Sequence, residues 1–215
     1  MNQEKIINDG KDFINQIFAT DSSGHDADHS LRVYKTALEI AATEPKTDTF
    51  LVSLASLLHD VDDFKLFPNN INYQNARSFM TKENIPSDIQ EKVIHIISQV
   101  SYKCKDTVTP DTLEGKIVTD ADRLDAIGAI GIARAFAYGG AHNRKLYDKN
   151  DQDCDPNKSY GEYRKHSSST IAHFYEKLLH LKDLMNTKEG KRIAKKRHAF
   201  LIEFLKEFDS EVSSN

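Results

Sequence analysis

Apolar residues in this chain recur at three- and four-residue intervals almost from end to end, and they nowhere alternate with polar residues in the two-residue period of a half-buried strand. That periodicity admits an all-α fold. The stripes run over 3–18 (Ile6, Ile7, Phe13, Ile14, Ile17, Phe18), 27–43 (Leu31, Tyr34, Leu38, Ala41) and 48–62, with Pro45 separating the last two. A short helix is expected at 72–83. Another follows, started by Ser87 and Gln90 as a capping box and running to about Val100 through Ile89, Val93, Ile96 and Ile97. Thr109, Pro110 and Asp111 read as the cap, first-turn proline and dipole-complementing acid of a helix through Leu113, Ile117 and Val118. The Ala- and Gly-rich stretch 125–140 permits close helix contacts, and 141–158 reads as a long loop. Helices over 159–186 and 188–208 close the chain.

Length and charge narrow the function classes. At 215 residues the chain is expected to form a single domain, with a core at about 20–140 and C-terminal helices at about 159–208. No apolar run approaches the roughly 18 residues of a membrane span, which argues against a membrane protein. The polar, acidic start MNQEKIINDGKDF shows no export signal, and Cys104 and Cys154 form no redox or finger pattern, so a cytoplasmic location is expected. A net charge of −4 speaks against nucleic acid as a partner. The basic run from Lys191 to His198 is interleaved with Ile193, Ala194, Phe200 and Leu201 at helical spacing, as in the solvated face of an amphipathic helix.

The chemistry lies where charge interrupts core-like sequence. The apolar run Leu51, Leu54, Ala55, Leu57, Leu58 ends in His59-Asp60 and then Asp62-Asp63. Adjacent side chains on a helix cannot share one stripe, but both can converge on a point beside it, and a divalent metal is such a point. Two ligands hold an ion poorly. Two further clusters stand in core-like sequence: GHDADHSLRV at 24–33, with His25 and His29 one turn apart, and IVTDADRLDAIG at 117–128, with Asp120, Asp122 and Asp125. Each alone has a plain structural reading, a hydrogen-bonded core histidine or acids at a helix N-terminus. Burying several ionised carboxylates is expensive unless a cation is present, and one shared metal explains all three clusters.

The order His, then His-Asp, then Asp resembles the HD-domain metal-dependent phosphohydrolases, which are all-helical and close on one divalent ion. GHDADHSLRV, LASLLHDVDDFK, EGKIVTDADRLDAIGAIGIARAFAYGG and HFYEKLLHLKDLM further resemble its bacterial YpgQ/YedJ-type subgroup, over nearly the whole chain. The resemblance implies an HD-domain helical bundle with additional C-terminal helices, and puts His29, His59, Asp60 and Asp122 on the metal, with Asp122 favoured over Asp120. Manganese is the expected ion; magnesium, cobalt, nickel, iron and zinc are the alternatives. His25 falls outside that ligand set and is expected nearby, as an outer partner or substrate contact, while Arg32 is placed to orient a carboxylate.

Asp63, three residues after Asp60, is the candidate general base for the attacking water. Lys65 and Arg123 adjoin metal-site positions and suit phosphate oxygens, with Arg77 a weaker member of that set. His95 matches, by resemblance, a helix from which superfamily members use a histidine. Tyr138, Gly139 and Gly140 are expected to shape the nucleotide entrance. The resemblance implies hydrolysis of a nucleoside or deoxynucleoside triphosphate to monophosphate and pyrophosphate, with a homodimer by analogy. The alternatives are a phosphomonoesterase or phosphodiesterase on another nucleotide, and a non-catalytic nucleotide or metal sensor.

Overall fold

The computed structural model describes residues 1–19, 26–64, 66–102, 106–149 and 168–213, and it is all-α over them. The chain divides into two compact units, Met1–Ser101 with Val108–Asp122, and Tyr102–Thr107 with Arg123–Asn215. No helix among the described residues is long and apolar enough to cross a membrane.

The first unit contains α1 (Gln3–Ile17), α2 (Ala27–Ala41), α3 (Thr49–Leu58), α4 (Gln74–Lys82) and α5 (Ser87–Ser98). It ends inside α6 (Leu113–Asp125), at Asp122. The apolar run of α3 makes it the central helix: every residue from Phe50 to Leu58 is buried, and α1, α2 and α5 all pack on it. Asp48 starts α3 by accepting from the amides of Phe50 and Leu51 at 3.0 and 3.1 Å. Glu114 of α6 in turn accepts from the Asp48 amide at 2.9 Å. Gly10 permits the close approach of α1, since a Cβ there would stand 3.3 Å from Leu57 Cδ1 and 3.5 Å from the Phe79 ring.

Three expected helix starts and ends differ. α3 stops at Leu58 and leaves His59 to Asp62 in a turn, where the apolar pattern had suggested a helix to 62. Ser87 and Gln90 make no capping box: Pro86, with φ −54° and ψ 143°, takes the cap position, and the Gln90 side-chain Nε2 donates to the Ile85 carbonyl at 2.8 Å. α6 starts three residues later than expected, because Thr112 rather than Thr109 supplies the cap, its Oγ1 accepting from Gly115 N at 3.0 Å.

The second unit holds α7 (Gly128–Ala141), α8 (Thr170–Glu176), a 3-10 helix (Leu178–Leu184) and α9 (Lys188–Ser213). Phe136, Phe174, Phe204 and Phe208 form its aromatic centre, with ring centroids 5.6–6.1 Å apart. Of the single helix expected over 159–186, residues 159–167 lie outside the described residues, and the rest is broken at Lys177, where φ −136° and ψ −58° leave the helical region. The buried Leu178 and Leu181 lie three apart, the repeat of a 3-10 turn, which explains the change of winding. Of the expected loop 141–158, Ala141 ends α7 and residues 150–158 lie outside the described residues. The basic run lies on α9, where Arg192 pairs with Glu189 at 2.7 Å and Arg197 donates to the Leu124 carbonyl.

Candidate metal centre

Three helix termini of the first unit carry the site. Asp26 caps α2 by accepting from the His29 amide at 2.8 Å, which puts His29 in the first turn with its side chain 1% exposed. Part of the charge in HDADH is therefore a helix start. His59 is the C-terminal cap of α3, and its Nδ1 lies 2.9 Å from the Ser56 carbonyl. A carbonyl can only accept, so Nδ1 carries the proton in that bond, and a neutral His59 ring turns the lone pair of Nε2 inward. Asp60 follows in the turn, and Asp122 comes from α6.

The four side chains meet. His59 Nε2 lies 3.2 Å from His29 Nε2. Asp60 brings Oδ2 within 3.3 Å of His29 Nε2 and Oδ1 within 3.4 Å of His59 Nε2. Asp122 Oδ1 stands 3.4 and 3.7 Å from the same two nitrogens. His29, His59 and Asp122 offer ligand atoms that all lie within 4.8 Å of one another. Ligands bonded to one ion at about 2.1 Å are about 3.0 Å apart at right angles and about 3.4 Å apart in a tetrahedron, so the spacing of the His29, His59 and Asp122 donors fits a single transition cation, with Asp60 against both imidazoles but outside that mutually close set. The donor set fits as well, since imidazole and carboxylate together suit manganese through zinc.

Electrostatics point the same way. Burial works to lower the His59 pKa, but the Asp60 and Asp122 carboxylates outweigh it and leave the ring above its usual 6.5. Burial likewise opposes ionisation of Asp122, yet the His29 and His59 rings beside it hold its carboxyl far below the usual carboxylate range. The protein alone thus stabilises carboxylates around a positive charge. The imidazoles, each 1% exposed, form the floor, and Asp60 and Asp122, 14% and 27% exposed, form the rim.

The HD-domain family model matches residues 26–127, a range containing all four side chains. The Bacillus subtilis protein YpgQ is 36% identical over 204 residues, covering 93% of this chain and 90% of that protein. The chain belongs to the HD-domain family. A solved structure of an HD-superfamily hydrolase from Bacillus thuringiensis superposes with a TM-score of 0.74 at 35% identity over the whole of both chains. The structure of B. subtilis YpgQ in complex with ADP gives a TM-score of 0.74 at 35% identity, covering 94% of this chain and 97% of that one. This chain is accordingly an HD-superfamily hydrolase, a metal-dependent phosphohydrolase.

The other expected site residues of this HD-domain hydrolase are differently placed. Asp63 lies just beyond the turn, half-buried, its amide donating to the Asp60 carbonyl at 3.0 Å; because α3 has already ended, the two acids do not share a helix face. His25 and Lys65 lie outside the described residues. Arg123 is buried, 4% exposed, and donates to the Leu184 carbonyl. Arg77 is bidentate to Glu91 at 2.6 and 3.1 Å and reaches the Asn72 carbonyl at 3.1 Å. His95 is exposed and bonded to Asp111 at 2.8 Å. Of the other acids in the α6 cluster, Asp120 is fully buried and Asp125 pairs with Arg134 at 2.8 Å. Tyr138 stacks on His142 with centroids 3.9 Å apart, and a Cβ on Gly139 would collide with Thr170 Oγ1.

Proposed function

We propose that this HD-domain hydrolase converts nucleoside or deoxynucleoside triphosphates to the monophosphate and pyrophosphate, using manganese held by His29, His59, Asp60 and Asp122. The observation that carries the reading is the convergence of two imidazole nitrogens and two carboxylates at 3.2–3.7 Å. The ADP complex of YpgQ supports a nucleotide as the ligand.

When bound, the ion supplies a Lewis acid for the phosphoryl group and lowers the pKa of water toward neutrality. The chain's own groups do the rest. Ser56 holds the His59 ring in the tautomer that presents Nε2. The rim carboxylates leave the approach open on their side. Asp63 receives the proton of the attacking water, and Lys65 neutralises phosphate oxygens as charge develops there. Arg123, Arg77 and His95 are assigned no direct substrate contact, because Arg123 is buried with Nη1 on the Leu184 carbonyl, while Glu91 with Asn72 engages Arg77 and Asp111 engages His95. The proposal takes residues 1–215 as one catalytic domain, acting in the cytoplasm as a homodimer.

The test is purified protein with manganese, magnesium, cobalt or no metal against a nucleotide panel, with pyrophosphate and orthophosphate measured separately. Manganese-dependent pyrophosphate release in equal yield with monophosphate is expected, and His59→Ala should abolish both metal binding and turnover. Orthophosphate as the first product would move the reaction to an ester or terminal phosphate. Tight nucleotide binding with no product at all would make the protein a sensor.

A further inference from the structure

Asp62 stands two residues after Asp60 and makes none of the contacts of the centre. Its carboxylate is nevertheless fully engaged. Oδ1 accepts from Asn70 Nδ2 and from the Asn75 amide, both at 2.9 Å, and Oδ2 accepts from the Ala76 amide at 2.9 Å. Asn75 reciprocates, its Nδ2 donating to the Val61 carbonyl at 2.7 Å. The pair works like a capping box, side chain to backbone in both directions, but it joins the turn after His59 to the N-terminus of α4.

A cap for α4 alone does not require this arrangement. A Ser, Thr or Asp at position 73 would satisfy the same amides locally. That position is instead Tyr73, which makes no side-chain cap bond. Asn72 and Tyr73 both adopt the left-handed conformation, at φ +55° and +56°, and neither is glycine. Such backbone persists only where its surroundings over-determine it. Here the Asp62 bonds hold one side, and the Arg77 Nε bond to the Asn72 carbonyl holds the other, with Glu91 fixing the guanidinium. The acid that caps α4 is thus drawn from the turn that carries the metal-site carboxylate.

Building on the metal-centre reading above, we infer that Asp62 and Asn75 are positioning residues: they lock the backbone on the C-terminal side of Asp60, so that its carboxylate stays 3.3–3.4 Å from both imidazole nitrogens. The lock acts through the Val61 carbonyl and the Asp62 side chain, immediately next to the ligand. Loss of either partner lets the turn relax while α3 keeps His59 in place.

The test uses the full chain carrying Asp62→Ala, Asp62→Asn or Asn75→Ala. Manganese affinity is read by electron paramagnetic resonance of the free ion, and kcat and KM are read on the nucleotide that the wild type hydrolyses. All are measured well below each variant's melting temperature. Asp62→Ala should weaken manganese binding about tenfold and lower kcat by a similar factor. Asp62→Asn, which keeps an oxygen at Oδ1, should recover most of both. Asn75→Ala removes one bond and leaves the α4 amides capped, and should weaken manganese binding about fivefold. Should Asp62→Ala fail to fold, Asn75→Ala decides. Wild-type affinity in folded Asp62→Ala or Asn75→Ala reduces the pair to a helix cap and overturns the inference. If the wild type binds manganese but hydrolyses no nucleotide, the proposed function fails while the affinity comparison still decides the lock. A wild type that binds no manganese overturns both.

Discussion

At the scale of residues, the account turns on acids and imidazoles sharing one charge. A proton and the metal compete for the His59 ring, so pH moves the stability of the metal-free protein and the affinity for metal in opposite senses. The His59 pKa is raised in the folded chain, so its ion pairing with Asp60 and Asp122 contributes stability that is complete below the unfolded value of about 6.5 and is lost as pH climbs through the folded value. Metal binding needs the ring neutral, so manganese affinity rises through that same window. The melting temperature of the metal-free protein should therefore fall as pH increases above 6.5, while the increment produced by manganese grows; scanning calorimetry with and without the ion over that range checks both slopes. Asp63→Asn should leave manganese affinity near the wild-type value and slow turnover about 100-fold, as loss of a proton acceptor does, whereas unchanged turnover would remove Asp63 from the mechanism. The doublet His59-Asp60 was legible because charge at the end of an apolar run is out of place in a core. The bonding of Asp62 was not, since it depends on where α3 stops. The partner of Arg123, a backbone carbonyl 61 residues away, leaves no trace in local sequence.

At the scale of elements, the site is built from helix ends, and helix ends are where sequence patterns are least informative. Periodicity located α2, α3 and α5 to within a few residues, because each buries an apolar stripe or is buried all round. It missed the Pro86 and Thr112 caps, because Ser87 and Thr109 nearby are the residue types that suit a cap. α3 sets the position of His59, so damage to α3 should reach the centre through stability. Asp48→Ala removes the acceptor of two amides and should cost about 1 kcal/mol. Leu57→Ala empties a fully buried side chain against Gly10 and should cost about 2–5 kcal/mol. Chemical denaturation of the metal-free variants measures both, and equal losses would contradict the central place given to α3.

At the scale of the whole molecule, an all-α chain was readable because no stretch alternates in the strand period, and the family from the order in which its histidines and acids occur. Its division between Asp122 and Arg123 was not, because nothing in the apolar stripe of α6 changes there. The four candidate ligands His29, His59, Asp60 and Asp122 belong to the first unit, in segments separated along the chain, so only the folded unit brings them together. The most direct test is anomalous diffraction at the manganese edge from crystals grown with manganese. The account predicts one peak per chain, bonded at about 2.1 Å to His29 Nε2, His59 Nε2 and carboxylate oxygens of Asp60 and Asp122. No peak among those atoms, or one held by other residues, would contradict it.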